Sequence, residues 1–120
     1  MIVKVVHFNA ETKKFEDTAI VNVPSYQLGF KDAETDACEY AFARTQNIFG
    51  SWSKGPTFED GGHNEDFSEN VEVIAPFEVY MGRTLGHRSS MVGDLFVVNG
   101  NIYVCKGIGF ELYEQDAVNA

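Results

Sequence analysis

The sequence predicts an α+β domain: one main helix packed on a mainly antiparallel β-sheet, with a long irregular loop between them. Three observations carry this. A single stretch, Asp32 to Phe49, spaces its apolar residues as a helix does. The β-rich runs elsewhere are short and separated by turn chemistry. Asn99-Gly100 lies between two such runs, and both central positions of a type I′ hairpin turn require positive φ.

Ile2 to Phe8 reads as the first strand, with Val3, Val5 and His7 on one face and Ile2, Lys4, Val6 and Phe8 on the other. Both faces are largely apolar, which places it centrally in a covered sheet. Asn9 to Asp17 is polar and charged and suits a turn, after which Thr18 to Val23 runs as a second strand closed by Pro24. Asp32 or Thr35 then caps the helix, with Asp32, Glu34, Asp36 and Glu39 near its positive end. Ala33, Ala37, Tyr40, Ala41, Arg44 and Ile48 fall on one face, beside a stripe of Cys38, Phe42, Thr45 and Phe49. Gly50 is the expected stop.

Gly50 to Asn70 breaks regular structure at Gly50, Gly55, Pro56, Gly61 and Gly62 while carrying Trp52, Phe58 and Phe67. Loops of this length are uncommon in small domains and are often functional. Strands are expected again at Val71 to Ala75, Phe77 to Met81, Leu95 to Val98, Ile102 to Cys105 and Phe110 to Tyr113. Gln115 to Ala120 reads as a frayed tail.

A chain of 120 residues that is 44% hydrophobic and 13% aromatic suits one domain, residues 1–120, with a single core. The net charge of -9, with nine basic residues scattered, disfavours direct binding of nucleic acid or anionic membranes. No apolar run reaches the length of a membrane span and no secretory leader opens the chain, so a cytoplasmic protein with free thiols at Cys38 and Cys105 is expected.

Candidate chemistry concentrates in two places. Gly82 to Asp94 brings Arg83, His87, Arg88 and Ser89 among flexible glycines, an arrangement able to bind an anion or nucleotide, with His87 as an acid or base near neutral pH. The plainer reading is a tight turn entering the Leu95 strand, in which the serines bond backbone amides, Gly93 takes an unusual φ and Asp94 caps. The second place is the long loop. Trp52, Phe58 and Phe67 could anchor a partner, with Glu65, Asp66 and Glu69 as an exposed acidic rim. Trp52 also suits a core anchor, and the acids suit simple solubility. No CxxC or HxxxH pairing suggests a metal, and no glycine pattern suggests a cofactor.

The run His87-Arg88-Ser89-Ser90-Met91-Val92-Gly93-Asp94, the Asn99-Gly100 turn and Gly107-Ile108-Gly109-Phe110-Glu111 together form an R-S-x-M-V-G-D…G-F-E tail. Upstream stands Thr45-Gln46-Asn47-Ile48-Phe49-Gly50-Ser51-Trp52-Ser53. In these two motifs, in this order, the chain resembles a family of uncharacterised small proteins of bacteriophages and mobile elements. More loosely the tail resembles the YodL-like proteins, with Gly93 standing where their run has a central serine. The resemblance implies a phage origin and host cytoplasm and brings no catalytic residues with it. The function it favours is a non-enzymatic phage accessory protein that binds and modulates a host protein. A small enzyme or anion-binding protein built on Arg83 to Ser90, and an acidic DNA mimic, are the alternatives.

Overall fold

A computed structural model describes residues 1–29 and 32–113; the expected frayed tail lies outside them. The fold is α+β. Among the described residues eight strands, β1 (Ile2–Asn9), β2 (Lys14–Asn22), β3 (Val71–Val73), β4 (Glu78–Tyr80), β5 (Arg83–Leu85), β6 (Leu95–Val98), β7 (Asn101–Cys105) and β8 (Phe110–Leu112), accompany one α-helix, α1 (Ala33–Arg44). Six strands form an antiparallel sheet in the order β3-β2-β1-β6-β7-β8, and β4 and β5 form a separate two-stranded ribbon.

β1 is central, paired to β2 on one side and β6 on the other. Val3 and Val5 point into the core under α1, and Val6 and His7 are buried as well, which accounts for apolar character on both faces. The second strand starts at Lys14, inside the polar stretch Asn9 to Asp17 expected to form a turn, and not at Thr18. Lys14 to Asp17 pairs with β1 across a bulge that leaves Thr18 between two ladder positions, and the Phe8 and Phe15 rings meet at a tilt with centroids 5.2 Å apart. The Thr18 hydroxyl uses the bulge: it accepts from the His7 amide and donates to the Glu16 carbonyl.

α1 is held to the sheet by Ala37, Cys38 and Ala41 and by an aromatic triangle of Phe42, Phe96 and Phe110. The small helix residues permit close approach, and the fully buried Phe96 ring contributes on the order of 2 kcal/mol of transfer free energy. Asp32 caps the helix by accepting from the Thr35 amide. Cys38 and Cys105 are free thiols in the same core. Burial raises both, Cys38 to about 12, so neither is a nucleophile at neutral pH.

The helix ends at Arg44, not at Phe49, and Gly50 is not its stop. Thr45 turns its hydroxyl back onto the Ala41 and Phe42 carbonyls, and Gln46 donates from Nε2 to Phe42 O. Those side chains satisfy the last helical carbonyls that further turns would have used. The Thr45 carbonyl instead accepts from the Ser90 amide at 2.8 Å. Ile48 and Phe49, expected on the helix's apolar faces, are 66% and 78% exposed.

The 95–105 hairpin turns through Asn99 at φ 51° and Gly100 at φ 79°, as the dipeptide predicts. β5 was not anticipated. The β4–β5 ribbon turns through Met81 at φ 51° and Gly82 at φ 76°. A methionine there is not a turn signal, since side chains other than Asn, Asp or Gly adopt positive φ at a cost.

Candidate functional site

The segment 87–94 forms a polar network around the buried Ser90 and Asp94, not an open anion pocket. Asp94, fully buried, takes a forked pair of bonds from Arg88, Nη1 to Oδ2 and Nη2 to Oδ1, each at 2.8 Å. It also accepts from the Phe8 amide at 2.8 Å and the Met91 amide at 2.8 Å. The rest of the Arg88 fork donates to the carbonyls of Ser89 and Phe8. Burial pushes the Asp94 carboxyl up, but the Arg88 fork and the two amides outweigh that and hold it below the ordinary value. Gly93 turns at φ 96°, the unusual backbone expected of it.

A directional hydrogen-bond chain runs beside this pair. The Thr45 hydroxyl has one proton, and its bond to the Ala41 carbonyl at 2.9 Å requires that proton. In its 2.6 Å contact with Ser90, Thr45 therefore accepts and Ser90 donates. Ser90 Oγ must then accept from His7 Nε2 at 2.9 Å, which fixes His7 in the Nε2–H tautomer. Burial pulls the His7 pKa to about 4, against the opposing pull of Asp94. His7 is therefore neutral at physiological pH, and its 3.9 Å approach to Asp94 Oδ2 is not an ion pair. Among the described residues no buried side-chain polar atom is left without a partner, and the network has the arrangement of a structural clamp.

The four residues expected to share an anion do not converge. Arg88 is committed to Asp94, and Ser89 Oγ accepts from the Asn47 amide at 2.8 Å. His87 donates from Nε2 to the Ala75 carbonyl at 3.1 Å and stacks on Phe77 at 4.9 Å. Arg83 is exposed on the β4–β5 ribbon.

The long loop is ordered by its own polar side chains. Trp52 is 2% exposed and donates from Nε1 to the Arg88 carbonyl at 2.8 Å, so it is a core anchor and not a partner-facing residue. Asn64 is buried too: Nδ2 donates to the carbonyls of Ser51 and Gly55, and Oδ1 accepts from the Ser51 amide. Phe58 is half-buried near Gly50, where a Cβ would collide with Asn64. Asp66, expected as an exposed rim charge, is turned inward. Its Oδ2 accepts from the amides of Ile48 at 2.7 Å, Phe49 at 2.9 Å and Gly50 at 2.6 Å. Three successive amides around one carboxylate oxygen form a nest that pins the backbone.

The consequence is a face that sequence reasoning did not assemble. Held on Asp66, Ile48 and Phe49 project into water, and Ile48 shares the lining of one cleft with the exposed Glu65, Phe67 and Glu69. Between this loop, the second half of α1 and the 3₁₀ turn at Ser25–Gln27 lies a cleft of about 480 Å³, walled by Tyr26, Tyr40 and Phe67 and including Arg44. Ile48 and Phe49 were hidden in the sequence because their spacing continues that of the helix.

Among the described residues, no group of three or more His, Cys, Asp or Glu is placed to hold a metal ion, and no helix is long and apolar enough to cross a membrane. No protein-family model matches the chain, and neither do the curated proteins or the solved structures with which it was compared.

Proposed function

We propose that the protein is a non-enzymatic accessory protein, of the phage type its tail resembles, that binds a host protein through the face formed by Ile48, Phe49 and Phe67 and modulates that protein. One observation carries the reading: a carboxylate and three backbone amides hold two large apolar side chains out in solvent. Exposing Ile48 and Phe49 is unfavourable for a free domain, and fixing their backbone lowers the ordering cost of docking. Glu65 and Glu69 supply a polar rim around that apolar centre. The enzyme and anion-binding alternative loses support because Arg88, His87 and Ser89 already bond within the chain. The DNA-mimic alternative is weakened at Asp66, whose carboxylate serves the nest and is not free to imitate a phosphate.

The test is affinity capture from bacterial host lysate with three baits: the wild type, the double variant Ile48→Ser/Phe49→Ser, and Arg83→Ala. Host protein retained by the wild type and by Arg83→Ala but lost from the double variant is the expected result. Retention by the double variant, with loss from Arg83→Ala, would move the binding surface to the ribbon and overturn this reading.

A further inference from the structure

The cleft beside the exposed face has a chemistry of its own. Arg44, in the last turn of α1, sets its guanidinium over the Tyr40 ring, 5.1 Å from the centroid. Asn70 donates to the Tyr40 hydroxyl at 3.0 Å and fixes the tilt of that ring. The cleft therefore already seats one cation on an aromatic face. Tyr26 and Phe67 offer two further exposed aromatic side chains on its walls.

Its charge is unbalanced. Glu65, Asp66 and Glu69 line it against the single cation of Arg44. No ion pair within 4.0 Å is formed by Arg44, Glu65 or Glu69 among the described residues. Asp66 is occupied by the backbone nest, which leaves Glu65 and Glu69 as outward carboxylates on an aromatic-walled cleft. Aromatic faces beside carboxylates favour a flat, weakly hydrated cation with an apolar stem over a strongly hydrated ammonium, and an arginine side chain has that form.

Resting on the binding face proposed above, we propose that this cleft receives an arginine side chain from a basic segment of the partner protein. The guanidinium lies against the aromatic walls and bonds to Glu65 and Glu69. Ile48 and Phe49 cover the apolar residues flanking that arginine. Arg44 competes with the incoming side chain for the same aromatic face and negative potential.

The competition supplies the discriminating experiment, since an acidic protein attracts any basic peptide to some degree. The probe is a fluorescein-labelled Gly-Ser peptide carrying three arginines, titrated with the full chain in fluorescence anisotropy at low and moderate ionic strength. Glu65→Gln/Glu69→Gln should weaken binding roughly fivefold at low salt, and less at higher salt. The matched pair Glu11→Gln/Glu111→Gln, which removes the same charge elsewhere, should change it less than about twofold. Arg44→Ala should tighten binding, while Lys14→Ala, with the same change in net charge, should not. Trp52 fluorescence checks that each variant is folded. Equal losses from the two glutamine pairs, or weaker binding by Arg44→Ala, would overturn the proposal. The two readings can also fail separately. If the peptide ignores the cleft variants while host capture still depends on Ile48 and Phe49, the arginine proposal falls and the binding face stands. If the peptide behaves as expected but capture is indifferent to Ile48 and Phe49, the cation site stands and the host-binding face falls.

Discussion

The hydroxyl of Ser90 donates to that of Thr45 across 2.6 Å and 45 positions of sequence, joining the end of α1 to the entry of the β6–β7 hairpin. Ser90 is the middle of a chain in which His7 donates to Ser90, Ser90 to Thr45 and Thr45 to Ala41 O. Ser90→Ala would strand the His7 Nε2–H in a buried position. A loss of about 1–3 kcal/mol is expected, read as a lower urea midpoint at unchanged slope. A loss below about 0.5 kcal/mol would mean that the chain does not act as a clamp.

His7 makes stability depend on pH in a defined direction. An unfolded histidine titrates near 6.5, and the folded one near 4. Above pH 6.5 both states are neutral and the full stability is present. Between 6.5 and 4 the unfolded chain takes up a proton that the folded chain refuses, so stability falls, by roughly 1.4 kcal/mol per unit at the steepest. Below about 4 this group adds no further slope. His7→Gln keeps a donor for Ser90 and should flatten the profile in urea titrations across pH 5 to 7. Asp94 acts lower down, because its pKa is held below 3.8: its contribution is present above that value and lost as pH falls through the folded one.

Asp94→Asn should be the most damaging single change in the tail. It leaves the Arg88 fork facing a neutral amide and turns one of the two oxygens, the one that accepts from the Phe8 amide or the one that accepts from the Met91 amide, into a donor. The Arg88 side chain is 38% exposed, so solvent takes up part of the loss and a cost of about 1–3 kcal/mol is expected. Arg88→Lys should also lower the melting temperature, since a point charge cannot make the paired bonds. Ser89→Ala, which loses one exposed bond from the Asn47 amide, should cost about 1 kcal/mol or less.

Asp66→Ala separates the nest from the rim. Releasing the amides of Ile48, Phe49 and Gly50 should cost about 1–2 kcal/mol and speed their hydrogen exchange. Glu65→Gln and Glu69→Gln should leave the melting temperature within error, as exposed charges do. Unchanged exchange at 48–50 in Asp66→Ala would remove the nest as the support of the exposed face.

Met81, at φ 51° and 85% exposed, strains the tip of the β4–β5 ribbon. Met81→Asn should raise stability by roughly 0.5–1 kcal/mol, because asparagine tolerates left-handed backbone better than methionine does. A fall in melting temperature would show that the methionine packs against something that offsets its backbone strain.

Local signals were sufficient for the architecture. The period of the 32–44 run, the Asp32 cap and the Asn99-Gly100 turn are properties of neighbouring residues, and such properties survive in any context. The two-sided apolar pattern of Ile2 to Phe8 likewise determined its central place, since a covered strand needs apolar residues on both faces. What tertiary structure alone decided were the ends and the allegiances. Helical spacing continues through Ile48 and Phe49, but Ser90, arriving from the far half of the chain, takes the Thr45 carbonyl and hydroxyl and the helix stops. Asp66 reads as one acid among several until it lies under three amides sixteen to eighteen residues away, and Trp52, which reads more readily as a core anchor than as a hot spot, has no partner until the Arg88 carbonyl claims its indole. Composition and spacing record which groups are polar. Which group satisfies which is decided only when folding brings distant donors and acceptors into a space from which water has been removed.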